Sequence, residues 1–381
     1  MKLSPLLAPG LALAVLALTG CARQAAPATP PPRVLRISQR NEPDDLDPAI
    51  AALPDDFFVI RALSEGLVVP SPTGGDPLPA AADRWEVSPD GLTWTFHLRP
   101  RARWSNGDPV TAADFVASLR RVLTPATAAP KADLLFAIRN ARAFAAGKLT
   151  DFSAVGLRAA DAATLLVTLE RPTPQFLNYV ASGPWIPVNP RIVGVFGRAW
   201  TLPGNFAGNG PFKLAEWQPD QRIVVRKNPL YYGAAGIRVD EIQFVRFDDS
   251  DTEERAFRAG EVDVTMSVPF SKLEPYAREH PDELHYAPLE ETRYLAFNTR
   301  RPPLDDPRVR RALSLAVDRT AIVDFVVKGG RRAAFELLPP ELGPGSDAPP
   351  APGQGHPADL AAARRLLADA GFPSGRGFPR L

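Results

Sequence analysis

Strand-period and helix-period segments alternate along this chain, which predicts an α/β protein built of two or three lobes. Three observations carry that expectation. Trp94, Phe96 and Leu98 alternate with Thr95, His97 and Arg99 at period two, as in a half-buried strand. Phe115, Leu119, Val122 and Leu123 recur at the spacing of one helical face. Finally, about 350 residues remain after an N-terminal leader, more than one hydrophobic core usually accommodates.

The leader comes first. Lys2 supplies a basic start, Leu11 to Leu18 is an apolar run, and Leu18-Thr19-Gly20-Cys21 follows. The run is too short to span a bilayer, and small residues crowd a cleavage site ahead of the cysteine. Residues 1–21 therefore resemble a lipoprotein signal peptide, with Cys21 the expected lipidation point and the membrane reached through that anchor. Cys21 is the single cysteine of the sequence, so neither an intrachain disulfide nor a thiolate metal cluster can form. Residues 22–32, rich in Ala and Pro, read as a stiff extended tether.

Beyond the tether, Val34-Leu35-Arg36-Ile37 alternates as a strand. Asn106-Gly107-Asp108-Pro109 is a turn signal. Thr111 then caps a helix, with Asp114 completing a variant capping box. Strands are expected at Leu165 to Leu169, Ile223 to Val225 and Ile242 to Phe247, the last two around the Asn228-Pro229 turn. Ser250 or Asp251 should cap a short helix that ends at Gly260, a residue able to take the left-handed conformation. Asp306-Pro307 is a strong helix start, with Val309, Leu313, Ala316 and Val317 as its core face. Gly329-Gly330 ends the helix that carries Ile322 and Phe325. Residues 339–357 read as a Pro/Gly-rich loop. A last helix, with Leu360, Ala363 and Leu367 inward, ends at Gly371.

Charge is balanced, with 44 basic against 43 acidic side chains and a net charge of +1. A nucleic-acid partner would need a clustered basic excess, so none is expected. Catalytic signatures are missing too. His280 and His285 are five apart with Pro281 between them, unlike a helical zinc pair, and no nucleophile elbow for an acyl-transfer serine is present. His97 falls on the outer face of its strand and reads as solvated. Asp248, Asp249, Asp251, Glu253 and Glu254 sit where a helix N-terminus favours acidic residues, and they lack the spacing of a calcium loop. The expectation is a non-enzyme with no metal and no cofactor.

Read together, the motif blocks resemble the extracytoplasmic solute-binding proteins of peptide ABC transporters, the oligopeptide- and dipeptide-binding family 5. The matching stretches are Glu42-Pro43 with Leu46-Asp47-Pro48, Ser64-Glu65-Gly66-Leu67, and the run from Ala81 to Phe115. They continue with Asn209-Gly210-Pro211-Phe212, Asn228-Pro229-Leu230-Tyr231-Tyr232 and Gly260-Glu261-Val262-Asp263. The last are Leu295-Ala296-Phe297-Asn298 and Asp306-Pro307-Arg308-Val309-Arg310-Arg311-Ala312-Leu313. The resemblance covers nearly everything from residue 34 to 381.

It implies a type II periplasmic binding protein-like fold with a hinge and three lobes: residues 33–64 with 189–290, an inserted lobe at 65–188, and a partial third lobe at 291–381. In that family a short peptide lies between the first and third lobes, held through its backbone, and hinge closure buries it. The loaded protein, expected as a monomer in the periplasm, docks on the membrane permease of the transporter. Carried over, the loop of Ala52, Leu53 and Pro54 corresponds to backbone that pairs with the ligand, although Pro54 lacks an N–H. Arg293, Tyr294, Phe297 and Asn298 match the crossing into the third lobe.

Bland roles compete with each of these. Trp85, Trp94 and Trp104 read as core; Tyr294 either offers a hydroxyl to a peptide carbonyl or sits half-buried; Asn298 either meets ligand or bonds local backbone. The family's carboxylate for the peptide ammonium group lies in a later segment, so no residue here is given that role, and short peptides are expected to bind weakly or not at all. Two alternatives stay open: a truncated relic that binds nothing, and a binding protein for a non-peptide solute such as haem, nickel or a sugar.

Overall fold

A computed structural model of the chain describes residues 31–286, 291–338 and 359–380. The expected signal peptide with Cys21, most of the tether and the Pro/Gly-rich loop lie outside the described residues. The chain forms two compact units, one ending at Met266 and one beginning at Ser267. The expected third-lobe start was residue 291.

The first unit runs β1 (Val34–Gln39), α1 (Pro54–Leu63), β2 (Val68–Val69), β3 (Leu78–Pro79), β4 (Ala82–Val87) and β5 (Thr93–Leu98). There follow α2 (Ala112–Leu123), α3 (Ala141–Ala145), β6 (Leu157–Ala159), β7 (Thr164–Thr168), α4 (Phe176–Val180) and α5 (Pro190–Phe196). It ends with β8 (Phe212–Gln218), β9 (Arg222–Lys227), β10 (Glu241–Arg246) and α6 (Ser250–Arg258). One four-stranded sheet has the order β1-β10-β9-β8, with β1 parallel to β10 and the other pairs antiparallel. A second, wholly antiparallel, has the order β4-β5-β7-β6.

Each sheet carries its own core. Ile37, Leu46, Phe57, Ile60, Leu63, Val225 and Phe244 close the first. Trp94, Phe96, Trp104, Phe115, Leu119, Leu165, Val167 and Trp185 close the second. In β5 every second residue is buried, so Trp94, Phe96 and Leu98 point inward as the alternation required. α2 starts where the capping box puts it. Asp114 donates its N–H to Thr111 Oγ1 at 3.3 Å, and Thr111 donates its own to Asp114 Oδ2 at 2.8 Å. Its buried stripe is Phe115, Leu119, Val122 and Leu123. Burial of each such side chain stabilises the fold by about 1.5–3 kcal/mol.

Some local expectations need correction. Asp249, not Ser250 or Asp251, caps α6, its carboxylate accepting the Thr252 N–H at 2.8 Å. That helix does end at Gly260, whose φ is +73°. His97 is half-buried rather than solvated, its Nε2 lying 3.4 Å from Glu86 Oε1 on the neighbouring strand β4, which pairs with β5.

The second unit holds α7 (Leu273–Glu279), α8 (Pro307–Ala316), α9 (Arg319–Ala321), which runs on into a π-helix at Ile322–Val327, and α10 (Leu360–Asp369). α8 begins as read from Asp306-Pro307, with Asp306 accepting the Arg308 N–H at 2.8 Å. Its buried residues are Val309 and Ala312; Ala316 is exposed, and Val317 lies past the helix end. In α10 Ala363 is buried while Leu360 is half exposed. Arg308 ties the two helices by donating to the Asp369 carbonyl at 2.7 Å.

Candidate functional site

The candidate site grows from the connection between β1 and α1. Leu46 is fully buried and anchors it. The Asp47 carbonyl accepts the N–H groups of Ile50 and Ala51 at 3.1 and 2.9 Å, folding residues 47–51 into a turn. The Asp47 side chain, 3% exposed, accepts the Ala49 N–H at 3.0 Å and takes both arms of the Arg121 guanidinium. Because Arg121 stands on α2, this bidentate pair ties the loop to the second sheet's layer.

The segment then reaches Ala52, Leu53 and Pro54, all exposed. Ala52 and Leu53 donate their N–H groups to Asp56 Oδ2 at 3.0 and 2.9 Å, and Pro54 has no N–H to give. Leu53 stands at the helix N-cap position but has no side-chain acceptor, so Asp56 does the capping from within the first turn. The N–H groups of this loop are thus taken up locally.

Two depressions flank the loop, both within the first unit. One, of about 390 Å³, is lined by Pro54, Phe57, Phe58, Arg61, Lys131 and Pro184 among others. The other is an open groove of about 730 Å³ that includes Leu53, Glu42, Leu202, Trp217 and Arg246. The first is bounded by Gly183, where a Cβ would stand 2.0 Å from the Phe57 ring, so only glycine fits beneath that side chain.

A polar cluster lies where the chain leaves α1 and passes from one core to the other. The Glu65 N–H and carbonyl are both held by the Asn209 amide, at 3.0 Å each. Its Oε2 accepts from the hydroxyls of Tyr231 at 2.8 Å and Tyr232 at 3.1 Å. Asn228 donates to the Gly210 carbonyl at 3.0 Å, and Gly210 donates to Leu63 at 2.9 Å. Burial pushes the Glu65 carboxyl up to about 7, against the pull of the two hydroxyls and Arg99. Residues of three motif blocks, at 64–67, 209–212 and 228–232, therefore meet in one hydrogen-bonded cluster around the buried Glu65.

The remaining candidate residues are on the second unit. Arg293, Tyr294 and Asn298 are exposed there, Tyr294 by 70%, and Phe297 is half-buried. Arg293 donates to Glu291 at 2.6 Å, while Asn298 accepts the Arg300 N–H at 3.1 Å, a local turn contact. Trp94 and Trp104 are buried in the second core, and Trp85 packs against it. Arg61 and Lys131 escaped the sequence reading, because only the fold brings these distant positions to one cleft. Among the described residues no group of three or more His, Cys, Asp or Glu could hold a metal ion.

Comparison with known proteins decides the family. The model of bacterial extracellular solute-binding proteins, family 5, matches residues 76–380. The chain belongs to this family. It is 37% identical to the periplasmic oligopeptide-binding protein OppA of Escherichia coli, over 79% of this chain and 55% of that protein. It is 38% identical to the probable deoxycholate-binding periplasmic protein YgiS of Escherichia coli, over 82% of this chain and 58% of that protein. Among solved structures, the Escherichia coli murein tripeptide binding protein MppA superposes with a TM-score of 0.82 at 35% identity, covering 90% of this chain and 67% of that one. Haemophilus influenzae OppA in complex with RPPGFSPFR superposes at 0.78 with 31% identity, again over 90% and 67%. The mixed α/β fold is that of family 5. The chain spans a little over half the length of the two relatives named first.

Proposed function

We propose that this chain captures short peptides in the bacterial cell envelope and delivers them to the permease of an ABC transporter, without altering them. The observation that carries this reading is the apolar cleft beside Pro54, together with the similarity to OppA and to MppA. In the exposed loop at 52–54 the Ala52 carbonyl is the group offered to a ligand backbone, since Asp56 holds the Ala52 and Leu53 N–H groups and donates its own N–H to the Leu53 carbonyl at 3.2 Å. Arg293, Tyr294, Phe297 and Asn298 are proposed to contribute further ligand contacts.

The proposed lobes are residues 33–64 with 189–290, 65–188, and 291 onward. Two separate cores in the first unit support the first two. Anchoring through a lipidated Cys21 and periplasmic residence rest on the leader's pattern and on the periplasmic relatives, and a monomeric state is proposed with them.

A second reading is a non-peptide solute with an apolar body. It is favoured by the 38% identity to YgiS and by the mainly apolar lining of the cleft. Calorimetric titration of the full chain with a di- to pentapeptide pool, and in parallel with deoxycholate, separates the two. Saturable heat with peptides alone supports transport of peptides; heat with deoxycholate alone replaces that reading.

A further inference from the structure

The cleft beside α1 has an asymmetric lining. Pro54, Phe57, Phe58, Leu134 and Pro184 make it apolar, and its two ionisable residues, Arg61 and Lys131, are both cations. Lys131 is half-buried, with Nζ 5.0 Å from the Phe57 ring centroid, which holds the ammonium against the wall. Arg61 makes one long contact, 3.4 Å to the Ala181 carbonyl. Among the described residues neither cation has a carboxylate within ion-pair distance, although the whole chain is almost neutral. Several arginines elsewhere in this unit are paired with carboxylates, as Arg33 with Asp240, Arg121 with Asp47 and Arg226 with Glu241, whereas Arg61 and Lys131 share one apolar cavity. Low-dielectric walls focus the field of the unmatched pair into the cavity.

We propose that this cleft is an anion-accepting subsite, in which Lys131 and Arg61 receive a carboxylate of the ligand while Phe57 and Phe58 take an adjoining apolar group. The inference rests on the reading of the chain as a peptide-capturing protein and names the chemistry that reading leaves open. The carboxylate comes from an acidic side chain or from the peptide C-terminus, and both present the same group to the two cations.

Three tetrapeptides of otherwise identical apolar sequence separate these sources: one with Gln and a C-terminal amide, one with Glu and the amide, one with Gln and a free C-terminus. Affinities are measured by titration on the full chain, on Lys131→Met, on Arg61→Gln and on Lys131→Arg. The expected result is about tenfold tighter binding of at least one carboxylate peptide over the neutral one by the wild-type chain. That preference is lost in Lys131→Met, reduced in Arg61→Gln and restored in Lys131→Arg, with thermal midpoints unchanged. Equal affinity for all three peptides, or a preference untouched in Lys131→Met, overturns the subsite while peptide capture stands. Binding of none of the three by the wild-type chain overturns peptide capture, and this inference with it.

Discussion

Asn209 and Glu65 hold each other through complementary main-chain and side-chain groups. The Asn209 side-chain amide accepts the Glu65 N–H and donates to the Glu65 carbonyl, each at 3.0 Å, with both residues buried. This pair fixes the point at which the chain leaves α1 and enters the second core. Replacement by Asn209→Leu strands a buried donor and a buried acceptor, so unfolding free energy should fall by about 2–4 kcal/mol. Urea denaturation followed by tryptophan fluorescence measures it; a change below a few tenths would show that water or a shifted backbone takes over the amide's role.

Protonation of Glu65 should leave a mark on stability. Its folded carboxyl lies at about 7 against an ordinary 4.5, so the folded state holds a proton that the unfolded state has released. Stability from this group is therefore greatest below pH 4.5 and declines as pH rises toward 7, by on the order of 2–3 kcal/mol. Tyr231, Tyr232 and Arg99 are the ionisable groups facing it. Thermal midpoints of the wild type and Glu65→Gln across pH 5 to 8 should diverge, the variant losing the part of the decline due to this carboxyl. Parallel curves would contradict the buried position.

Gly183 should matter to the cleft. A methyl group there would lie 2.0 Å from the Phe57 ring, which also lines the cavity. Gly183→Ala is expected to push the ring into the cavity, costing roughly 1–3 kcal/mol in stability and a comparable loss of ligand affinity. Titration of the variant with a peptide bound by the wild type tests this, and undiminished affinity would separate the cavity from binding.

The Asp47–Arg121 pair should position the loop at 52–54. Arg121→Ala leaves the Asp47 carboxylate buried without its cation, a loss of about 2–4 kcal/mol, discounted because Arg121 is 29% exposed. A double-mutant cycle with Asp47→Asn gives the coupling. A coupling near zero would mean that the turn holds itself.

What could be read in advance was what adjacent residues decide. The capping box of Thr111 and Asp114, the stripe of α2 and the alternation of β5 are local signals, and the structure has them where the sequence placed them. Asp249 was missed as a cap because three neighbouring residues all have suitable side chains, and backbone geometry chose among them. Helical period alone points Ala316 and Leu360 inward, yet both are exposed, because each is the terminal residue of its helix and period does not say where the covering face stops. The Glu65 cluster could not be read at all, since Tyr231 is 166 residues away and only the fold unites them. The same holds for Arg61 with Lys131, and the family blocks pointed to the loop but not to the cations beside it.

We propose above all that this chain clasps a small ligand and returns it unchanged. Hydrogen–deuterium exchange by mass spectrometry on the full chain, with and without a saturating tetrapeptide, tests it most directly. Slower exchange is expected in residues 52–61, 131–136, 182–186 and 293–298, with the tetrapeptide recovered at its original mass. Protection confined to other segments, or a peptide recovered shortened or modified, would contradict it.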